Sequence, residues 1–461
     1  MSATDKAARS RVVVALLVAV AAALLFNSWV LDSAHFFFAD DWGWLERAHF
    51  HPWRETIHLF PNALYNDRPV GELVIRGLYD LFWLRHGAWN QVWLGLHALN
   101  VALLVMLTRP WLTPLRLTLA GVLAACWFST LTAVHWVGAV FDLFGATLVL
   151  GTLLAYQHAV LSGGRRWPWL ALSVLLHLAA IRTKEFALGM VVVLGIWEFV
   201  LLHRDGLRER CLRLAPHVLL AALFVIRYAM LYKQQHAALE GGAYGLSLTP
   251  SSLLEGVGWY FAQAFYAFIP GSNETHVGIG LAFAAAVLAV ACSSRIGIAS
   301  LASAVVLMAA VLLLGKQRHP LYLYVPHFLI VITLCSAFPR RRVADVATLV
   351  LAALLLVWPA HTGFLRDARN FVLIKGGYSK TLFYDYATTM QHDKPQSPVI
   401  IAVSETYFDP FSWGFGDALR LYHDDRSIQV QVIALKPGDD PCAKATGSCF
   451  VERQGRLVKV R

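Results

Sequence analysis

Charged residues are scarce in this sequence of 461 residues. Asp, Glu, Lys and Arg together make up 15% of it, while apolar residues make up 57%. Soluble domains carry about 25% charged residues, so the composition excludes an ordinary soluble protein. The formal net charge of +10 is therefore interpreted from the positions of the Lys and Arg residues along the chain. No basic stripe interleaved with aromatic residues indicates nucleic-acid binding.

The short motifs of several enzyme classes are also missing. The sequence contains no GxGxxG, Walker, HExxH or GxSxG pattern. These absences exclude nucleotide-driven pumps, the familiar hydrolases and a nucleotide-sugar donor bound at a P-loop-like site. No internal repeat is visible either, which argues against a transporter built from repeats.

Cysteine is rare, with six in the chain. Four lie in or beside hydrophobic segments, where cysteine usually serves as a small core residue. Cys442 and Cys449 lie in the polar C-terminal tail instead. They can form a disulfide if that tail occupies an oxidising compartment, or remain two free surface thiols. No spacing of Cys and His suggests structural zinc.

The apolar residues are grouped in windows of about 18 to 22 residues, the length at which a helix crosses a bilayer. They predict an all-α polytopic membrane protein with about eleven transmembrane helices. The predicted segments are 11–31, 89–108, 116–133, 137–161, 167–181, 186–203, 214–232, 276–293, 297–315, 321–338 and 343–359.

The positions of Lys and Arg predict an orientation. If the N-terminus is cytoplasmic, every short cytoplasmic loop is basic and the short outer loops hold few cations, as the positive-inside rule requires. We therefore expect a multi-pass protein of the inner membrane with a periplasmic C-terminus. The sequence divides into a transmembrane domain over 1–359, with long outer loops at 32–88 and 233–275, and a small periplasmic α/β domain over 360–461. The first outer loop is rich in Trp, His and Phe, as expected of short amphipathic helices that lie in the membrane interface.

On this topology, many polar residues fall at the outer ends of the helices. They are Asp40, Asp41, Arg68, His135, Asp142, Arg182, Lys184, Glu185, Lys316, Arg318 and His319. Carboxylates and cations at one membrane face suit sugar transfer, in which a base takes the acceptor's proton and cations neutralise a departing phosphate. The alternative for each residue is snorkelling or helix capping at the interface.

Several stretches, in order along the chain, resemble the GT-C glycosyltransferases, which use lipid-phosphate-linked sugars. They are FFFADDWGWL, YNDRPVGELVIRGLYDLFW, WNQVWLGLHALNVALL, STLTAVHWVGAVFDLFGATL, IRTKEFALGM and KQRHPLYLYVP. The resemblance is to the membrane half of the transmembrane and tetratricopeptide-repeat O-mannosyltransferases and their bacterial relatives. It covers about residues 20–335, and this chain has an α/β tail where those proteins have repeats.

The resemblance implies roles for the acidic pair. Asp41 is predicted to be the catalytic base, with Asp40 as its helper or as a metal ligand. From the residues alone, both equally fit caps of a helix that begins at Trp42. A divalent metal held by Asp40, Asp142 and His135 is an alternative for the same site; no other cofactor is expected.

The remaining candidates are predicted to bind the lipid phosphate and its neighbourhood. They are Arg68, Lys184, Glu185, Arg318, Tyr322 and Tyr324. On a helix, Tyr322 and Tyr324 diverge by about 160°, so one can reach the phosphate while the other packs in the interfacial aromatic belt.

We therefore expect a membrane-embedded, inverting glycosyltransferase of the hexosyl- or mannosyltransferase type. It would move a sugar from a polyprenyl-phosphate donor to a protein, lipid or polysaccharide acceptor at the periplasmic face. The alternatives are a polymerase or ligase of lipid-linked glycans and a transporter or flippase for lipid-linked sugars.

Overall fold

The structure is a computed structural model. It describes the whole chain apart from residues 1–2, 128–129, 162–165, 203–204, 236–244, 248, 266–272, 315–316, 338–341, 362, 392, 437, 439 and 444. Of the residues predicted above to lie at the outer face, Lys316 falls outside the described residues, as does part of the predicted outer loop at 233–275.

Helices dominate the described chain. Their bounds are α1 (Ala3–Phe26), α2 (Asp41–Phe50), α3 (Trp53–Thr56), α4 (Pro69–Phe82), α5 (His86–Thr108), α6 (Pro114–Cys126), α7 (Leu131–His135), α8 (Val140–Leu161), α9 (Arg166–Ile181), α10 (Met190–Val200), α11 (Leu207–Gln235), α12 (Pro250–Phe265), α13 (Asn273–Ala291), α14 (Arg295–Leu312), α15 (Tyr324–Cys335), α16 (Arg342–His361), α17 (Phe364–Thr389) and α18 (Asp417–His423).

Each predicted hydrophobic segment coincides with a helix. Six stretches of the described residues are long and apolar enough to cross a membrane, namely Arg9–Phe26, His86–Thr108, Val137–Leu161, Leu207–Gln235, Glu274–Ala291 and Arg295–Leu312. Four further apolar helices are shorter, in α6, α9, α15 and α16. The helical, multi-pass class is confirmed, and the number of eleven crossings stays a prediction.

Small residues set how closely the first helix packs. Ala15, Ala19 and Ala23 are fully buried although most of α1 is exposed. Their spacing of four residues puts them on one face of the helix. A Cβ placed on Gly121 of α6 would lie 2.5 Å from the Cβ of Ala19. The backbones of α1 and α6 therefore approach closely, as small residues permit in membranes.

The first long outer loop folds as short helices, as the sequence predicts. These are α2, α3 and α4, and α4 begins with Pro69 at its first position, where a missing N–H costs nothing. The loop returns the chain to the end of α9, because the N–H of Val70 donates to the carbonyl of Arg182, the residue that follows this helix. This contact brings two of the sequence motifs together.

The C-terminal region carries a small sheet. Its strands are β1 (Val399–Val403), β2 (Val430–Ala434), β3 (Cys449–Arg453) and β4 (Arg456–Lys459), in the order β2-β1-β3-β4. β1 is parallel to β2 and β3, whereas β3 and β4 form an antiparallel hairpin. Cys442 and Cys449 form a disulfide, with 5.8 Å between their Cα atoms.

Helix α17 joins this sheet to the first outer loop. The hydroxyl of Ser379 donates to the carbonyl of Phe37 at 2.6 Å, and the ring of Phe383 stacks on Trp42 with centroids 5.1 Å apart. A Cβ on Gly376 would lie 2.9 Å from the backbone nitrogen of Phe36. The C-terminal region therefore packs directly on the segment that leads into the acidic pair.

Candidate active site

The two adjacent aspartates of the first outer loop have different surroundings. The chain turns at Ala39, whose φ of 52° is positive, and α2 begins at Asp41. The Asp41 side chain is fully buried. Its two oxygens accept backbone N–H groups, from Gly138 at 2.9 Å and from Phe38 at 3.2 Å. Burial and the charge of Asp40 raise the pKa of Asp41 well above its usual value. Asp41 therefore ties the loop to the start of the Val137–Leu161 stretch.

Asp40 faces a cavity instead. Its side chain makes no cap hydrogen bond to α2, and its buried Oδ1 has no hydrogen-bond partner among the described residues. Burial raises the pKa of Asp40 to about 6, against the opposing effects of the nearby indole N–H groups of Trp136 and Trp44 and the charge of Arg68. Asp40 thus combines a raised pKa with a place in the lining of a cavity, two properties expected of a general base.

The cavity in front of Asp40 has a volume of about 470 Å³ and is lined by both polar and apolar groups. We call it the polar cavity, because its lining is more polar than that of the second cavity described below. It lies among the first outer loop, the beginning of α8, the segment that leads into α15, and the C-terminal region. Its lining residues are Ala39, Asp40, Gly43, Trp44, Arg47, Asn66, Arg68, Trp136, Gly138, Phe141, Asp142, Lys184, Gln317, His319, Leu321, Tyr322, Tyr407 and Trp413.

Two ion pairs lie at the inner wall of this cavity, and three of their four members line it. Lys184 Nζ lies 2.5 Å from a carboxylate oxygen of Asp142, and both side chains are buried. The guanidinium of Arg68 makes two hydrogen bonds to Glu185, at 3.0 and 3.1 Å. Lys184 Nζ also lies 4.8 Å from the centroid of the Tyr322 ring. The structure thus groups four predicted phosphate-site residues around one point.

A second, mostly apolar cavity of about 280 Å³ lies beyond that wall. Its lining residues are Leu64, Tyr65, Arg68, Asp142, Lys184, Glu185, Phe186, Leu188, Tyr228, Tyr232, Leu246, Leu307, Ala310, Val311, Leu313, Leu314, Tyr322, Val325 and Pro326. Arg68, Asp142, Lys184 and Tyr322 line both cavities. One cluster of charged groups therefore separates a polar space from an apolar one.

Two predicted phosphate-site residues do not join this cluster. The Arg318 guanidinium donates to Glu255 of α12 at 2.7 Å, and Arg318 is absent from the described lining of both cavities. Tyr324 is fully buried, and its hydroxyl bonds to His97 and Asn100 of α5 at 2.8 and 3.1 Å. Tyr324 therefore lies away from the cluster in this structure because its ring faces α5, as a divergence of about 160° from Tyr322 allows.

The three predicted metal ligands do not converge. Asp142 is paired with Lys184, and His135 stacks on Phe38 with centroids 6.1 Å apart, outside the described lining of the polar cavity. In the part of the chain that the structure describes, no three His, Cys, Asp or Glu side chains are grouped as a metal site requires. These residues do not fit a shared metal, and no chemical step is assigned to one.

Other lining residues escaped prediction from the sequence. Trp44 and Arg47 follow Asp40 by four and seven residues, which is the spacing of one helix face. This periodicity could have placed them beside Asp40. Tyr407 and Trp413 come from the C-terminal region. Nothing in their local sequence links them to a site more than 300 residues away.

Three solved structures match this chain over more than nine tenths of its length, each with a TM-score below 0.5. ArnT from Cupriavidus metallidurans bound to undecaprenyl phosphate matches with a TM-score of 0.48 and 15% identity, over 92% of this chain and 86% of that one.

The Archaeoglobus fulgidus oligosaccharyltransferase matches in two structures. The apo form has a TM-score of 0.45 at 13% identity. The form tethered by a disulfide to an acceptor peptide containing the NVT sequon has a TM-score of 0.43 at 12% identity. Each match covers 93% of this chain and 64% of the oligosaccharyltransferase. No protein-family model and no curated protein matches the sequence.

Proposed function

We propose that this protein is a membrane-embedded glycosyltransferase that moves a sugar from a polyprenyl-phosphate donor to an acceptor hydroxyl. The observation that carries the proposal is the cluster of Arg68, Asp142, Lys184 and Tyr322, which lines both the apolar and the polar cavity. A lipid-linked sugar has the same order of parts, since its phosphate joins an apolar chain to a polar ring.

The donor would lie across this wall. Its first isoprene units occupy the apolar cavity, its phosphate lies at Arg68 and Lys184, and its sugar enters the polar cavity. When the bond between the sugar and the phosphate oxygen breaks, the phosphate gains a second negative charge. Lys184 meets that charge as a point charge and Arg68 can donate to two oxygens. Asp142 and Glu185 hold these cations in position before the donor arrives.

Asp40 is the proposed base. It accepts the proton of the acceptor hydroxyl as that oxygen bonds to the anomeric carbon, and the polyprenyl phosphate leaves from the opposite face. A single displacement of this kind inverts the anomeric configuration and needs one base. This proposal reverses the roles that the resemblance implies for the pair, because Asp40 faces the cavity and Asp41 uses both oxygens on backbone N–H groups.

Two features support an outer, periplasmic location for the site. The basic loops lie at the opposite ends of the helices from the acidic pair in the predicted topology. The Cys442–Cys449 disulfide belongs to the same side as the site, and disulfides persist in oxidising compartments such as the periplasm. We place the protein in the inner membrane, with the acidic pair facing the periplasm.

The test uses the full chain in detergent with a panel of radiolabelled polyprenyl-phosphate sugars, with and without EDTA. Asp40→Asn should lower kcat by about 10³-fold, the range expected for a general base. Asp41→Asn should keep kcat within about tenfold per folded molecule and lower the melting temperature, because it weakens buried hydrogen bonds worth about 1–3 kcal/mol.

Asp80→Asn is the matched control, since Asp80 is an exposed acid on α4 of the same loop. It should behave as the unmodified protein. If Asp41→Asn abolishes turnover in a folded protein and Asp40→Asn does not, Asp41 is the base after all. Failure to transfer from every donor would favour the transporter or flippase.

A further inference from the structure

The polar cavity is lined by two groups of residues that differ in character. Arg68, Lys184 and Tyr322 are shared with the apolar cavity. Tyr407 and Trp413 line the polar cavity only. Tyr407 is 53% exposed, so this part of the lining is open to solvent. A second substrate that approaches Asp40 from the aqueous side passes these two rings.

These rings are held in fixed positions. The Trp413 indole N–H donates to the carbonyl of Tyr407 at 2.8 Å, and the two rings meet edge to face with centroids 5.6 Å apart. Between them, the N–H groups of Phe411 and Ser412 donate to the buried Asp409 at 2.7 and 2.9 Å. The loop therefore presents a preformed surface, which lowers the entropy lost on binding.

The loop is also anchored to the catalytic segment. The Phe408 ring packs against Phe38 and Phe371, with centroids 6.1 and 5.5 Å apart. Lys375 Nζ lies 4.6 Å from the centroid of the same ring. Since Phe38 precedes Asp40 by two residues, the Tyr407–Trp413 surface has a fixed relation to the proposed base.

We propose that Tyr407 and Trp413 form the acceptor-binding surface and that the acceptor is a carbohydrate, an inference that rests on the proposed function. Aromatic faces pack on the C–H face of a pyranose, and their polar edges tolerate water. Asn66, Arg47 and Gln317 line the same cavity and supply donors and acceptors for sugar hydroxyls.

A peptide acceptor fits the cavity less well. Proteins commonly recognise extended peptides by adding them to the edge of a sheet, where main-chain hydrogen bonds provide the affinity. Among the described residues that line this cavity, none belongs to a strand. A peptide would meet aromatic rings and side-chain polar groups there instead of a strand edge.

The experiment measures transfer from the polyprenyl-phosphate sugar that the unmodified protein uses. The acceptor probes are methyl glycosides of glucose, mannose and galactose, with a Ser/Thr-containing peptide for comparison. Tyr407→Ala and Trp413→Ala should each raise the KM for the glycoside at least tenfold without changing the KM for the donor. Trp413→Phe keeps an aromatic face and should raise the glycoside KM by threefold or less.

Phe415→Ala is the matched control. Phe415 lies in the same loop, is 74% exposed and does not line the polar cavity, so its replacement should change neither KM. Melting temperatures of all variants identify any that fail to fold. If Trp413→Ala fails to fold, Trp413→Phe keeps the test decisive.

Three results would overturn the inference alone while leaving the proposed function intact. The first is an active protein whose glycoside KM is unchanged by Tyr407→Ala and Trp413→Ala. The second is an equal rise in the donor KM. The third is transfer to the peptide but to none of the glycosides. A protein that transfers from no polyprenyl-phosphate sugar would overturn the proposed function and this inference together.

Discussion

Helix α10 and the turn that precedes it have a buried ion pair at each end. At the outer end, Lys184 pairs with Asp142 at 2.5 Å. At the other end, Arg213 pairs with Glu198 at 2.5 Å, and the second oxygen of Glu198 accepts the hydroxyl of Tyr156 at 2.8 Å. The members of both pairs are almost completely buried. Their residue types alone do not distinguish them.

The surroundings of the two ion pairs distinguish them. The outer pair lines both cavities, whereas Glu198 and Arg213 line neither. Removing two charges from water costs free energy that their attraction only partly repays. The inner pair is compensated by further protein partners, since Arg213 also binds Asp205. The outer pair faces open space, where a phosphate can become an additional partner. We therefore expect the pair that borders the cavities to act in function and the enclosed pair to act in stability.

The largest expected effect that tests this contrast is on turnover. Lys184→Met removes the charge that is proposed to meet the leaving phosphate and should lower kcat by about 10²–10³-fold, the size of one lost electrostatic contact in a transition state. Lys233→Met, at an exposed position on α11, is the control and should leave kcat unchanged. Comparable kcat values for the two variants would remove Lys184 from the site.

Breaking the inner pair should act on stability. Glu198→Ala leaves Arg213 buried without its main partner, which costs about 3–5 kcal/mol, and should lower the melting temperature in detergent. Turnover per folded molecule should stay unchanged. Glu209→Ala, which removes an exposed acid from α11, should cost less than about 1 kcal/mol. If Glu198→Ala alters kcat in the folded fraction, the contrast between the two ends is wrong.

Arg68→Lys tests geometry at constant charge. It keeps the cation but loses the two parallel hydrogen bonds to Glu185, because Lys acts as a point charge. We expect kcat/KM for the donor to fall by about 10–100-fold, as loss of a charge-assisted hydrogen bond predicts. Arg54→Lys, at an exposed position of the same loop, provides the comparison. Full activity of Arg68→Lys would show that charge alone suffices.

The smallest effect is the dependence on pH. Asp40 accepts a proton only when it is ionised, and burial raises its pKa to about 6. The value of kcat/KM should therefore be level above pH 6 and fall about tenfold per pH unit below it. The residual activity of Asp40→Asn should lack this acid limb. An acid limb of the same midpoint in that variant would assign the titration to another group.

The sequence predicts the helices well and the site in part. Windows of about 20 apolar residues locate the long apolar helices, because a helix satisfies its own backbone hydrogen bonds within a bilayer. The sequence identifies the pairs Asp40/Asp41 and Tyr322/Tyr324 as candidates. Which member of each pair faces the cavity depends on the backbone conformation and on the packing around the pair. The positive φ of Ala39 turns Asp41 toward Gly138, and the hydrogen bonds to α5 hold Tyr324 away from the phosphate site.

Contacts between distant segments are not readable from local pattern. Arg318 has the charge expected of a phosphate ligand, yet it pairs with Glu255 of α12. Nothing in the sequence of either segment predicts this pairing. Tyr407 and Trp413 reach the cavity because α17 carries the C-terminal region back onto the first outer loop. Such contacts depend on the packing of the whole chain and not on propensity or periodicity.

The packing of α17 on residues 36–42 has a consequence for biogenesis. The proposed base lies near the beginning of the chain, but the hydrogen bond from Ser379 to Phe37 and the wall formed by Trp413 come from its last quarter. During synthesis, the acidic pair is made more than 300 residues before these contacts can form. The proposed site therefore assembles only after Trp413 has been added, so a nascent chain that stops short of it holds the carboxylate of Asp40 without these surroundings.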